Sequence, residues 1–125
     1  MTIFIDANVI TNAFFNNPDK EKCREILKEE FITNTLCLVE AQQVLSAIKK
    51  DKIYAADCIR SLFKKNVTIV QLDKNLLFEG IKKAEKYNLD AFDSIHYATA
   101  MLNNCSEIVS YDRDFDELEI KRTEP

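Results

Sequence analysis

The residues of this chain whose types and settings could do chemistry are carboxylates beside apolar runs. Asp6 ends the run Ile3-Phe4-Ile5, and Glu40 sits within Leu38-Val39-Glu40-Ala41. Asp93 opens Asp93-Ser94-Ile95-His96, and Asp112 follows Ile108-Val109-Ser110-Tyr111, with Asp114 two residues on. An acid in such surroundings must emerge where the run leaves the interior, or find a partner, because buried unpaired Asp and Glu are rare. Carboxylates gathered in one place repel each other unless they share protons or a cation. Hard oxygen ligands of this kind suit Mg²⁺ or Mn²⁺, which retain waters and bind phosphate oxygens. The chemistry that would follow is phosphodiester hydrolysis by a metal-activated water. Each acid also has a structural reading. Asp6 can cap the next helix, Asp93 stands three after Asp90 as in a capping box, and Asp112 and Asp114 suit a turn. Asn8 is placed to orient Asp6 by hydrogen bonding, and Thr35, Thr99 and Ser110 are plausible polar linings. His96 is the only histidine. Packing or a substrate contact suits it better than metal ligation, and no nucleophile elbow accompanies it for a serine triad.

These acids can meet only if the elements carrying them end at one place. Ile3–Ile5 is too uniformly apolar for a half-exposed strand and reads as buried on both faces. A helix is expected from about Ala7 to Phe15, then a second one capped by Asp19, with Cys23, Ile26 and Leu27 as a narrow stripe. Phe31-Ile32-Thr33 reads as a strand. It leads through Asn34 and Thr35 into a helix ending near Lys49, with Leu36, Val39, Val44, Ala47 and Ile48 as its apolar positions. Asp51 caps a fourth helix with Ala55, Ile59, Leu62 and Phe63 inward, and residues 67–70 form the third strand. Asp73 caps a fifth helix carrying Leu77, Ile81 and Ala84. Gly80 lies inside it at a cost of about 1 kcal/mol relative to Ala, which points to a close helix contact. Asp90 opens a sixth helix through Ile95, Ala98 and Leu102. Residues 107–110 are the fourth strand, and a weak fifth is expected near 119–121 before a frayed tail.

Strands separated by helical pairs cannot be hairpins, so the sheet is expected to be parallel, with helices on both faces. Parallel strands end at a common edge, where ligands bind in open α/β sheets. Asp6, Glu40 and Asp112 then share one rim, and Asp93 joins them if its helix begins on the same side.

Composition narrows the function classes. The chain has 125 residues, a size suited to one domain over 1-125, and a formal net charge of −4. An acidic balance argues against a nucleic-acid partner unless the acids hold a divalent ion, which inverts the local charge and makes a phosphate site. The single glycine excludes both the P-loop and the glycine-rich dinucleotide fingerprint. Asparagines at 16–17, 66, 88 and 103–104 are expected to supply the left-handed turns instead. The four cysteines form no Cys-x-x-Cys pair, and are read as free thiols of a cytoplasmic protein. No apolar run is long enough to span a bilayer, so no membrane is expected.

Taken together, Ile3-Phe4-Ile5-Asp6-Ala7-Asn8-Val9-Ile10, the threonine-rich lead into Leu38-Val39-Glu40-Ala41, Asp93-Ser94-Ile95-His96-Tyr97-Ala98-Thr99-Ala100 and Ile108-Val109-Ser110-Tyr111-Asp112-Arg113-Asp114-Phe115 resemble the PIN domain, and the resemblance covers nearly the whole chain. It implies a Rossmann-like α/β parallel sheet of four to five strands and a Mg²⁺- or Mn²⁺-dependent ribonuclease. Asp6, Glu40, Asp93 and Asp112 would be its acidic quartet and Asp114 a further acid; Asp90 is an extra acid outside the pattern. Ser110 stands where the family more often has threonine and keeps the hydroxyl. Single-domain PIN proteins of this length are similar to VapC-type toxins, which implies an RNA substrate, a homodimer and a small antitoxin partner. Two other readings remain open. One is an interaction module that kept the fold without turnover. The other is phosphoryl transfer through an aspartyl-phosphate, for which Asn8 stands where a second acid close to the nucleophile is needed and the strand ends Gln71-Leu72 and Tyr111-Asp112 bring no lysine.

Overall fold

The computed structural model describes residues 2–125; Met1, in the opening run, lies outside them. Five strands, β1 (Ile3–Ile5), β2 (Phe31–Asn34), β3 (Val67–Val70), β4 (Glu107–Val109) and β5 (Lys121–Thr123), form one parallel sheet in the order β3-β2-β1-β4-β5. Six helices flank it: α1 (Ala7–Asn12), α2 (Lys20–Ile26), α3 (Thr35–Lys49), α4 (Lys52–Leu62), α5 (Lys74–Tyr87) and α6 (Ala91–Leu102). β1 lies at the centre, where Phe4 pairs with Ile32 on one side and Ile108 on the other. Phe4 and Ile5 are fully buried there, as expected of a strand covered on both faces. The strand order reverses about β1, so the crevice beyond its carboxyl end is a switch point of the sheet.

Side-chain caps start the helices where the sequence placed them. Asn34 Oδ1 accepts from Cys37 N at 2.8 Å, Asp51 Oδ1 from Tyr54 N at 2.9 Å, Asp73 Oδ1 from Leu76 N at 2.9 Å and Asp90 Oδ1 from Asp93 N at 2.8 Å. Each satisfies an amide that the first helical turn leaves free. Asp19 precedes α2 without a side-chain cap bond. Asn88 and Asn104 take positive φ angles of 55°, but Lys50 and Glu117 do so as well, at 52° and 62°, where no asparagine is available.

Several expectations are corrected. α1 ends at Asn12, shorter than the expected helix to Phe15. On α3 the buried residues are Cys37, Leu38, Ala41 and Leu45, while Val39 and Val44 are exposed. On α5, Leu76 and Gly80 are buried and Leu77 and Ile81 are half exposed. Phe63 and Leu102 also lie outside the core. In each case apolar residues lie on both sides of the helix, and the periodicity could not say which side meets the sheet. The tail is not frayed: β5 pairs in parallel with β4, Val109 opposite Thr123. Gly80 behaves as its position suggested. A Cβ there would lie 2.9 Å from Ile95 Cγ1 and 3.3 Å from Ile95 Cα, so the bare backbone lets α5 close on α6.

Candidate active site

Asp6 leaves β1 at the switch point in an extended conformation. Its Oδ1 accepts from Ala7 N at 2.7 Å and its Oδ2 from Ser110 Oγ at 2.7 Å. The capping role and the cleft position therefore coexist, one oxygen serving each. Ser110 Oγ also accepts from Asp112 N at 2.9 Å and lies 3.3 Å from Asn8 Nδ2, while Asn8 Oδ1 accepts from Tyr111 N at 3.3 Å. These bonds fasten the segment after β4 onto the segment after β1. The last strand reaches the same place: Arg122 Nη1 donates to Ser110 O at 2.9 Å, and Ser110 N to Thr123 O at 2.9 Å.

Glu40 comes from the second turn of α3. Its Oε1 lies 2.5 Å from His96 Nε2 on α6. His96 is 1% exposed, so it cannot touch a substrate, which corrects that part of the sequence reading. Its Nδ1 lies 3.1 Å from Asn34 Nδ2. Cys37 Sγ lies 3.4 and 3.6 Å from the two ring nitrogens and 3.9 Å from Asp6 Oδ1. Asp93, in the first turn of α6, is 8% exposed. Asp112 caps the 3-10 turn Arg113–Phe115 through Asp114 N at 2.9 Å.

Asp6, Glu40, Asp93 and Asp112 line one cleft of about 290 Å³, with Asn8, Thr11, Phe15, Val44 and Ile48 among the other lining residues. Acids separated by as many as 106 positions thus meet at the carboxyl edge of the sheet, as the parallel topology required. Carboxylate oxygens of Asp93, Asp112 and Asp114 lie within 4.8 Å of one another, with Asp114 on the exposed side. Asp90 is exposed and one of its oxygens is held by the Asp93 amide.

Electrostatics follow from the crowding. Burial, then the negative charges of Asp112 and Asp90, push the Asp93 carboxyl up to about 8. Burial also raises Asp6, against the lowering effects of the Ser110 and Ala7 hydrogen bonds. Cys37 is raised chiefly by burial, which keeps it a thiol. Carboxyls of such perturbed acidity are at ease when protonated or beside a cation. Thr11 Oγ1 is buried without a hydrogen-bond partner among the described residues, although it lines the cleft.

Asn34, Cys37 and Thr99 are the members of this arrangement that sequence reasoning did not connect. Asn34 was visible as a helix cap and Thr99 as a polar lining, but a side-chain contact across 62 positions has no local signal.

A parallel α/β domain with a carboxylate-lined cleft at its switch point is the class that fold and site define. The PIN domain model matches residues 3–121, and the chain belongs to the PIN domain family. Among solved structures it is similar to VapC20 of Mycobacterium tuberculosis, described as a Sarcin-Ricin loop cleaving toxin. The TM-score is 0.82 at 12% identity, covering 98% of this chain and 99% of that one. A toxin-antitoxin complex from Klebsiella pneumoniae gives 0.76 at 15% identity, covering 98% and 97%. VapBC2 from Rickettsia felis, bound to a DNA fragment from its promoter, gives 0.72 at 14%, covering 100% and 99%. No curated protein matches the chain by sequence. No helix among the described residues is long and apolar enough to cross a membrane.

Proposed function

We infer that the protein is a divalent-metal-dependent endoribonuclease, the toxin of a toxin-antitoxin pair. The observation that carries this reading is the convergence of Asp6, Glu40, Asp93 and Asp112 on one cleft. The residues fit a Mg²⁺ or Mn²⁺ ion. All four offer hard oxygen donors, two carboxyls are held above their ordinary range chiefly by burial, and the Thr11 hydroxyl is a buried polar group without a hydrogen-bond partner among the described residues. Asp6, Glu40, Asp93 and Asp112 would hold the ion, with Asp114 as an outer acid. When bound, the ion supplies an acidified water and neutralises charge developing on the scissile phosphate.

The chain's own residues do the rest. Ser110 and Asn8 orient Asp6, and the Asp6 and Ser110 bonds keep the Asp112 segment against the cleft. The apolar wall of Phe15, Val44 and Ile48 narrows access and gives bases a surface to rest on. Net charge does not argue against an RNA substrate once the acids are neutralised locally. Leu77, Phe78 and Ile81 of α5 and Phe92 of α6 are about half exposed, a surface that supports a homodimer. The likeness to toxin-antitoxin complexes supports an antitoxin partner, and the four free, buried cysteines support a cytoplasmic setting.

The deciding experiment is RNA cleavage in Mg²⁺ or Mn²⁺ by Asp6→Asn and Asp93→Asn beside the unaltered protein, with folding checked by circular dichroism. Loss of cleavage in both folded variants is expected. Undiminished rates in both would defeat the reading.

A further inference from the structure

The chain of contacts behind Glu40 has a direction. Asn34 Oδ1 is committed as the cap acceptor of Cys37 N at 2.8 Å, which fixes the amide so that Nδ2 faces inward. That nitrogen is a donor only. It donates to Thr99 Oγ1 at 2.9 Å and lies 3.1 Å from His96 Nδ1. Thr99 in turn donates its own hydrogen to Ile95 O at 2.8 Å, so it must accept from Asn34. Nδ1 of His96 therefore meets an N–H and serves as the acceptor. The ring's proton is left on Nε2, which points at Glu40 Oε1, 2.5 Å away.

The neighbouring groups agree with this assignment. Burial keeps the Cys37 sulfur a thiol, so it brings no charge to draw a proton onto Nδ1. Sγ is also nearly equidistant from both ring nitrogens, so it lies along neither N–H direction and packs against the ring. The Asn34 donor facing Nδ1 opposes the second proton further.

We propose that Asn34 and His96 are positioning residues, the Asn34 amide holding the imidazole as its Nε2–H tautomer so that it donates to Glu40 and fixes that carboxylate in the cleft. The orientation is set by a helix cap on β2–α3 and by the first turns of α6, so two elements jointly aim one side chain of α3. Outer hydrogen-bond partners of metal-binding groups characteristically control affinity or activity by about 10- to 100-fold. The proposal rests on the reading of Glu40 as a metal ligand, but its first test does not.

That test is ¹⁵N NMR of the imidazole, which is free of assignment ambiguity because the chain has one histidine. At about pH 8, a pyridine-like Nδ1 and a protonated Nε2 are expected, and Asn34→Asp should abolish that pattern while still capping α3. A protonated Nδ1 in the unaltered protein overturns the proposal, whatever the enzymology. The second test compares His96→Gln with His96→Leu. A glutamine can accept from Asn34 and donate to Glu40; a leucine can do neither. Mn²⁺ affinity by calorimetry is expected to fall by about 10- to 100-fold in the leucine variant and to recover most of that loss in the glutamine variant. The RNA KM should stay unchanged while kcat follows the metal. Equal loss in both folded variants, with cleavage intact in the unaltered protein, overturns the positioning role alone. Absence of cleavage from every form, with the Mn²⁺ difference retained, defeats the nuclease reading and leaves the positioning role standing.

Discussion

Asp93 should make the metal-free protein less stable as pH rises, and Asp93→Asn should remove that dependence. The carboxyl has an ordinary value of 3.8 and is pushed to about 8 in the folded chain, by burial first and then by Asp112 and Asp90. The folded state thus holds a proton that the unfolded chain releases. Relative stability is intact below about pH 4, declines through the interval up to about 8, and is constant above it. At about 1.4 kcal/mol per unit the full interval corresponds to about 5–6 kcal/mol. Solvent entering the cleft screens the charges, which reduces the expected effect to roughly 2–3 kcal/mol. Asparagine keeps the shape and an N–H to offer Asp112 without the charge. The variant should match the unaltered protein near pH 4 and melt about 10 °C higher near pH 9 in chelator. Added Mn²⁺ should stabilise the unaltered protein and displace the proton, so binding near neutral pH should release up to about one proton per ion. Thermal melts across pH and calorimetry in buffers of different ionisation enthalpy read both effects. Parallel stability profiles for the two proteins, with no proton release, would refute the electrostatic argument.

Gly80→Ala should destabilise the fold by about 1–2 kcal/mol in urea titration, because the methyl meets Ile95 backbone and side chain and overpacking outweighs the helix-propensity gain. Deleting residues 121–125 should lower both stability and RNA cleavage, since Arg122 donates to the Ser110 carbonyl and Thr123 O accepts from Ser110 N while Ser110 Oγ holds Asp6; the expected loss in the melt is about 2–4 kcal/mol, and unchanged cleavage would show that β5 does not support the site. Ser110→Ala should reduce cleavage and raise the Asp6 carboxyl further, because a lowering hydrogen bond is lost, detectable as an alkaline shift of the pH-rate profile.

The sequence alone determined the order of elements and the acids at their ends. Ile3-Phe4-Ile5 needs both faces covered, and the absence of hairpin turns between strands requires crossovers. Asp6, Glu40 and Asp112 then fall at one edge by topology. Caps such as Asn34, Asp51, Asp73 and Asp90 were legible because a cap is satisfied within three residues. The tertiary structure decided which side of α3 and α5 faces inward, because both carry apolar residues on more than one side and only the sheet's shape chooses between them. It moved the weak strand expected near 119–121 to Lys121–Thr123 and kept the tail from fraying, since that polar segment gains its place from the open edge of β4. The roles of His96 and Asn34 were undecided for the same reason: their hydrogen bonds join residues 62 and 56 positions apart, and directional contacts at that separation are set by how helices dock, which no local pattern encodes.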